Sequence, residues 1–329
     1  MEPLKVGVIG VGHLGSLHAK MYARMRAVKL VGIYDINLKL SQKIAKEFGT
    51  TPYSSLEQLL SSVDAVSIAT PTSTHYEVAK EVIEKGKHLL IEKPLAVTLE
   101  EAENLVKLAE KEGIKLQVGH IERFNPAIIA LESYNLNPLF IESHRLAQFN
   151  PRGTDVAVVL DLMIHDIDLI LSLVKSRVTQ IDANGVSVIS ETPDIANARI
   201  QFENGCVANV TASRISQNKM RKMRIFQRDA YISIDFAQGK SEVFRLVDDN
   251  SKNVIPTMLL GQINQGNRKR IIIYEQPEIK EINALEYELT KFVEAVQNNL
   301  EPPVTGYDGL RALEVAQKIL HKIELQKLL

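Results

Sequence analysis

The sequence predicts an α/β protein: an N-terminal doubly wound parallel sheet, then an α+β domain with an open, mostly antiparallel sheet. Three observations carry this. Over residues 4–118, short apolar runs alternate with stretches of helical spacing, as in a parallel sheet covered on both faces. A glycine-rich turn, Gly10-Val11-Gly12-His13-Leu14-Gly15, lies between the first run and the first helix. Beyond about residue 121, strand-like runs come in series, separated by turn signals such as Glu203-Asn204-Gly205 and Gln238-Gly239.

In order, residues 4–9 form a β-branched strand and 13–25 a helix. Residues 29–34 form a second strand, and helix 38–48 closes at Gly49, a residue suited to the left-handed position after a helix. A strand at 65–69 and a helix at 73–85, stopped by Gly86, come next. Strand 89–91 precedes a helix that opens on a capping box, Thr98 with Glu101. Its apolar positions Ala102, Leu105, Val106 and Ala109 recur at helical spacing, Gly113 ends it, and strand 115–118 follows. An extended piece at 140–149 and a helix at 155–175 open the second half. Strand-like runs at 180–189, 198–202, 207–213, 223–226, 231–236 and 241–247 follow, then helices at 285–298 and 309–328. The stretch 248–270 is polar and loop-like. The expected domains are 1–121 and 122–329, with the last helix available to pack back on the first domain.

Composition excludes several classes. The 329 residues are 45% hydrophobic and 24% charged, so a disordered chain or a fibre is ruled out. Lys and Arg total 39 and Asp and Glu 40, which gives no bulk pull toward nucleic acid or anionic membrane. Cys206 is the only cysteine, which fits a reducing compartment. The longest apolar stretch, 156–174, is broken by Asp161, His165, Asp166 and Asp168, so it is no membrane span. The first residues lead straight into a strand without a basic leader, and a soluble cytoplasmic protein is expected. Basic clusters at Lys219, Arg221, Lys222 and Arg224 and at Arg268-Lys269-Arg270 lack aromatic interleaving. They read as solvated strand faces or intersubunit ion pairs.

The glycine turn has the context of a dinucleotide site. Gly10 permits the tight turn, Gly12 the approach of backbone to a pyrophosphate, and Gly15 close helix–strand packing. The helix opening at His13 and Leu14 offers free N–H groups and a positive dipole end to phosphates. Asp35, 20 residues beyond Gly15, suits ribose hydroxyls and repels a 2′-phosphate, which favours NAD over NADP; Lys39 close by weakens that exclusion. Two further segments fall at strand ends, where ligands of such sheets bind: Thr70-Pro71 with His75, and Glu92-Lys93-Pro94. Proline after Lys93 restricts that residue's backbone and fixes where its ammonium points. In Asp161-Leu162-Met163-Ile164-His165-Asp166-Ile167-Asp168, Asp161 and His165 are four apart on a helix and share a face, and Asp168 falls on the same side. An imidazole oriented by a carboxylate is a proton acceptor or a substrate clamp. No third ligand of matching spacing supports a metal, and none is assigned.

With these residues the chain resembles the Gfo/Idh/MocA family of nicotinamide-dependent oxidoreductases. The likeness rests on the glycine turn with His18, Ala69-Thr70-Pro71 with His75, Gly86-Lys87-His88 leading into Glu92-Lys93-Pro94-Leu95, and Gly119-His120-Ile121-Glu122-Arg123-Phe124-Asn125-Pro126. Asp161, His165 and Asp168 fit the family pattern Asp-x-x-x-His-x-x-Asp. The resemblance implies a Rossmann domain, NAD as cofactor, and a second domain whose open sheet face makes homodimers or homotetramers. It implies hydride transfer between a secondary alcohol and nicotinamide, with Lys93, His165 and Asp161 catalytic. Gly10, Gly12, His13, Leu14, Gly15, Asp35, Thr70, Pro71, His75, Glu92 and Lys93 would bind the cofactor. Asp161 and Asp168 would orient His165 and the substrate, while Lys93, Arg123, Arg152, Asp161 and His165 would hold that substrate. Lys93 and His165 would meet across the nicotinamide ring; which of them takes the proton stays open. Val158-Val159-Leu160 stand where many members carry glycines, so a differently shaped pocket is expected. The His-Asp-Ile-Asp run is similar to that of UDP-sugar 3-dehydrogenases in this family, which oxidise the 3-hydroxyl of UDP-N-acetylglucosamine or related sugars. Alternatives are an inositol or free-sugar dehydrogenase and a non-catalytic NAD-binding sugar sensor. Arg145, like Arg123 and Arg152, reads either as a cationic contact to a diphosphate or as an ion-paired arginine.

Overall fold

The computed structural model describes residues 2–150, 156–248, 257–265 and 268–326. Arg152, expected to touch substrate, lies outside the described residues. The chain forms two compact units: residues up to Ile121 with Asn283–Glu314, and Glu122–Ile282 with Val315–Leu329.

The first unit begins with β1 (Leu4–Ile9), α1 (His13–Tyr22), β2 (Val28–Tyr34) and α2 (Leu38–Phe48). A short strand β3 (Thr51–Pro52) and one-turn helix α3 (Leu56–Leu60) follow, then β4 (Ala65–Ile68), α4 (His75–Glu84), β5 (His88–Glu92), α5 (Leu99–Lys111) and β6 (Leu116–Gly119). All six strands are parallel, in the order β3-β2-β1-β4-β5-β6. That is the doubly wound order whose direction reverses between β1 and β4. Local chemistry fixes the ends. The Asn37 side chain caps α2 by accepting from Leu40 N–H, and Gly49 closes it at φ 66°. Thr98 and Glu101 form the reciprocal capping box expected of them.

In the second unit a short helix α6 (Pro126–Ile129) leads to β7 (Phe140–Leu146). A π turn (Val159–Met163) then runs into α7 (Ile164–Val174). Strands β8 (Val178–Val186), β9 (Ile195–Phe202), β10 (Val207–Ser213), β11 (Met220–Phe226), β12 (Ala230–Asp235), β13 (Lys240–Asp248), β14 (Met258–Gln265) and β15 (Arg268–Glu275) complete a nine-stranded sheet. Its order is β14-β15-β13-β12-β11-β7-β10-β9-β8, antiparallel throughout except for the parallel pair β7–β10. Alternate residues such as Ile141, Ile225, Ile232, Val243 and Ile273 are buried on one face. On the other face Phe140, Phe226, Tyr231, Phe244 and Tyr274 form a cross-strand ladder, each ring centroid 5.0–5.8 Å from the next. Cross-strand salt bridges Arg224–Glu142 and Lys222–Asp235 engage two members of the first basic cluster within the sheet.

The chain closes with α8 (Ala284–Gln297) and α9 (Gly306–Gln326). Two expectations are corrected. The polar stretch 248–270 is not all loop: residues 258–265 and 268–275 pair as an antiparallel hairpin, because Met258, Leu259 and Ile271 to Ile273 supply strand-forming residues among the polar ones. Residues 283–314 also belong with the first unit. Leu289, Phe292 and Val293 of α8 pack into one core with Val6, Val8, Tyr22 and Ile33. Among the described residues, no helix is long and apolar enough to cross a membrane.

Candidate functional site

The ends of β1, β2 and β4 bring the glycine turn and Asp35 together. Gly10 has φ +79°, a region open to glycine at little cost, and its N–H donates to Tyr34 O at 2.8 Å. A Cβ at position 15 would lie 1.8 Å from Gly10 O, so α1 seats on the turn only because Gly15 has none. A Cβ on Gly12 would meet nothing within 4 Å, which leaves open space over the helix N-terminus. His13 and Leu14 are exposed beside it. Asp35 accepts from Val11 N–H through Oδ2 and from Asn37 N–H through Oδ1, both at 2.8 Å. The next side chain, Ile36, is 94% exposed, an apolar surface next to the carboxylate. An open N–H cradle, a carboxylate and an adjacent apolar face fit the pyrophosphate, ribose and adenine of NAD.

Gly15→Ala is expected to cost about 1–3 kcal/mol through overpacking of the turn. If that strain falls on the cradle, NAD binds roughly tenfold weaker or worse. An NADH fluorescence titration checks this; wild-type affinity would remove the turn from the cofactor site.

The ends of β4 and β5 are braced by two buried histidines. His75 is 1% exposed, with Nδ1 2.9 Å from Pro94 O and Nε2 3.0 Å from Thr70 O. It ties the Thr70-Pro71 turn to the residue after Lys93. The Lys93–Pro94 peptide is cis. His18 on α1, fully buried, places Nε2 3.0 Å from Glu92 Oε1. Burial raises the Glu92 pKa, but the His18 hydrogen bond and the Lys93 charge outweigh it and hold the carboxyl below its usual range. Lys93 itself is half-buried.

Burial pushes the His75 pKa below the usual imidazole value, and the carbonyls of Pro94 and Thr70 offset that only in part. His88 shifts the same way, through burial and then the Lys115 charge. In both cases the unfolded chain takes up the proton first as pH falls. Their stabilising contribution is complete above about pH 6.5 and is lost as pH drops toward the folded-state values. Urea melts are expected to show stability falling between about pH 7 and about pH 5, with a shallower slope in His75→Gln. An unchanged slope in that variant would remove His75 as a cause.

In the second unit Asp161 lies in the π turn, a feature frequent at functional sites, and His165 in the first turn of α7; both are half-buried. The acids flanking His165 are buried and engaged elsewhere. Asp168 accepts from Arg123 Nε at 2.7 Å and Nη2 at 2.5 Å. Asp166 accepts from Arg145 Nε at 2.6 Å and from the Ser143 hydroxyl at 2.9 Å. Arg145 also reaches Glu122 at 2.9 Å, and Glu122 receives Arg221 at 2.5 Å. Burial works against the Arg145 charge, but Asp166 and Glu122 more than offset it and hold the guanidinium charged. The expectation that Asp168 orients His165 is therefore corrected: its carboxylate forms a bidentate pair with Arg123, a partner 45 residues away. The same pair engages the Arg123 guanidinium inside this unit, and Arg145 is enclosed by carboxylates. These arginine partners and the His18–Glu92 bond are the features that spacing does not reveal. Among the described residues, no group of three His, Cys, Asp or Glu side chains is placed to hold a metal.

The model for the oxidoreductase family with an NAD-binding Rossmann fold matches residues 4–120, and that for the GFO/IDH/MocA C-terminal domain matches residues 134–233. The chain is 36% identical over 325 residues to the UDP-N-acetylglucosamine 3-dehydrogenase of Acidithiobacillus ferrooxidans, covering 98% of each. The solved structure of GnnA, a UDP-N-acetylglucosamine 3-dehydrogenase from that organism, superposes with a TM-score of 0.88 at 35% identity over 99% of both chains. The scyllo-inositol 2-dehydrogenase (NAD(+)) of Bacillus subtilis is 28% identical over 95% of this chain and 92% of its own. A glycine cradle beside Asp35, a braced Glu92-Lys93-Pro94 and likeness along the whole length agree: this chain belongs to the Gfo/Idh/MocA family of oxidoreductases and carries its NAD-binding Rossmann domain.

Proposed function

We propose that this protein is a cytoplasmic NAD-dependent dehydrogenase that oxidises a secondary alcohol of a nucleotide sugar, with the 3-hydroxyl of UDP-N-acetylglucosamine as the favoured target. The observation that carries the reading is the end-to-end likeness to a UDP-N-acetylglucosamine 3-dehydrogenase. NAD, when bound, accepts the hydride that leaves the carbinol carbon. The residues of this chain do the rest. Gly10, Gly12 and Gly15 with Asp35 seat the dinucleotide. Lys93, at the C-terminal end of β5, holds an ammonium that stabilises developing negative charge on the alcohol oxygen. Lys93 or His165 removes the hydroxyl proton, and Asp161 orients the hydroxyl or the imidazole.

The aromatic ladder on the open sheet face supports a homodimer or homotetramer formed through that face, with the mass in solution as its readout. Turnover is tested by following NADH absorbance when the purified protein and NAD meet UDP-N-acetylglucosamine, its sugar epimers, or free inositols. NADH formation with the UDP-sugar supports the reading. Formation with inositols alone transfers the assignment to free polyols. Sugar binding without turnover would make the chain a sensor.

A further inference from the structure

The approach to the π turn that carries Asp161 is held at two backbone groups. Arg214 Nη2 donates to the Val156 carbonyl. The Val158 N–H donates to the Pro193 carbonyl at 3.1 Å. Ala157 lies between these two residues, and its carbonyl accepts from the Asp161 N–H at 3.0 Å. The residue that receives the Asp161 backbone is therefore fixed on both sides. What fixes it is itself anchored. Arg214 follows β10; its N–H donates to the Asp194 carbonyl at 3.0 Å, and its Nε lies 4.0 Å from Asp194 Oδ1. Asp194 is fully buried. Its Oδ2 accepts from the N–H groups of Val188, Ile189 and Ser190 at 2.7–3.0 Å, and its Oδ1 from the Ser190 hydroxyl. Burial raises the Asp194 pKa, but the Ser190 hydroxyl and the backbone N–H groups outweigh it and hold the carboxyl well below its usual range. Arg214 is 5% exposed and so turned inward, away from any ligand in solution. The proposed chemistry leaves both buried charges without a role.

A π turn makes its own start critical. The π register is rare, and it competes with the α register of the helix that follows. A slip of one residue would rotate Asp161 by about 100° about the helix axis. We propose that Arg214 is a positioning residue for Asp161: together with the Pro193 carbonyl it fixes where the π turn begins, and so where the Asp161 carboxylate points. The role rests on the reading of Asp161 as a group that meets the sugar, and Arg214 acts through Asp161 rather than on the sugar.

The first measurement is hydrogen–deuterium exchange of the full chain without ligand, read by mass spectrometry at single amides. Arg214→Gln is too short to reach the Val156 carbonyl. It is expected to speed exchange at Leu160 and Asp161 by about tenfold, with rates on β11 and β12 unchanged. The second is calorimetric binding of UDP-N-acetylglucosamine to the NADH-loaded protein, whose cofactor cannot accept a hydride. Arg214→Gln is expected to weaken sugar binding by about tenfold and to leave NADH affinity at the wild-type value. Asp161→Ala removes the group being positioned, and in that background Arg214→Gln is expected to weaken binding by less than about twofold. A merely structural arginine would cost the same in both backgrounds. If Arg214→Gln does not fold, Arg214→Lys carries both measurements. A single ammonium cannot serve Asp194 and the Val156 carbonyl in the geometry of a guanidinium, so smaller effects in the same direction are expected. Unchanged exchange at Leu160 and Asp161, or faster exchange throughout the second unit, overturns the proposal. So does a loss of sugar affinity that persists in full in Asp161→Ala. If the wild-type protein binds no UDP-sugar, the nucleotide-sugar reading fails, while the exchange rates still decide whether Arg214 holds Asp161.

Discussion

Replacing Lys93 by Met is expected to lower kcat by roughly 10²–10⁴-fold, the span lost when a positioned proton-transfer group is removed. Met keeps much of the length and apolar stem of lysine and lacks only the ammonium. The bracing of the segment does not depend on that ammonium: His75 holds the Pro94 carbonyl and His18 holds the Glu92 carboxylate. In the proposed site the dinucleotide is seated mainly by Gly10, Gly12, Gly15 and Asp35, which lie at the ends of other strands of the sheet. NAD affinity and thermal midpoint are therefore expected to stay near wild type while turnover disappears. Steady-state kinetics with an NADH binding titration separates the two effects. Near-normal turnover would take Lys93 out of the chemistry and leave His165 as the remaining proton acceptor. Loss of NAD binding together with turnover would mean that the ammonium seats the cofactor rather than serving the alcohol.

The first unit is legible in the sequence because its signals are local. Each strand is an apolar run followed by a helix with its own caps, as at Asn37, Gly49 and Thr98. The glycine turn and Asp35 are readable for the same reason, since the spacing of a βαβ unit fixes their meeting. What stayed hidden depends on partners distant in sequence. β3 and α3 are two and five residues long, too short for a period to show. The hairpin of β14 and β15 mixes Gln and Asn with its apolar residues, and polar composition alone reads as loop. α8 looks like part of the second domain by position, yet Phe292 completes the core built by Val6 and Tyr22. Around His165, Asp168 reads as an orienting group because helical spacing sets it nearby. The arginine partners of Asp166 and Asp168, Arg145 and Arg123, lie 21 and 45 residues away and cannot be recovered from spacing.

That arginine network carries the largest expected loss of stability. Arg145 is 7% exposed at its side chain, between Asp166 at 2% and Glu122 at 7%. Removing one partner of a buried ion pair strands the other charges in a poor dielectric, at a cost of about 3–5 kcal/mol. Arg145→Met leaves the buried Asp166 with the Ser143 hydroxyl as its remaining partner, while Glu122 keeps Arg221, so a loss within that range is expected. The damage should centre on α7, because Asp166 is joined through Arg145 and Ser143 to β7 and Asp168 through Arg123 to the turn before α6. Asp161 and His165 are carried on that helix and the π turn before it, so their placement depends on the network. Adding Asp166→Leu and Glu122→Leu to Arg145→Met removes the buried carboxylates and leaves Arg221, 40% exposed at its side chain, to water, and an apolar replacement of similar volume is often neutral. Chemical denaturation of the single and triple variants therefore tests the account. The single variant should lose several kcal/mol and the triple variant should regain a large part of it. A loss below about 1 kcal/mol in Arg145→Met would show that the pair behaves like a solvated surface bridge. A triple variant less stable than the single one would show that the carboxylates hold α7 in place without the arginine.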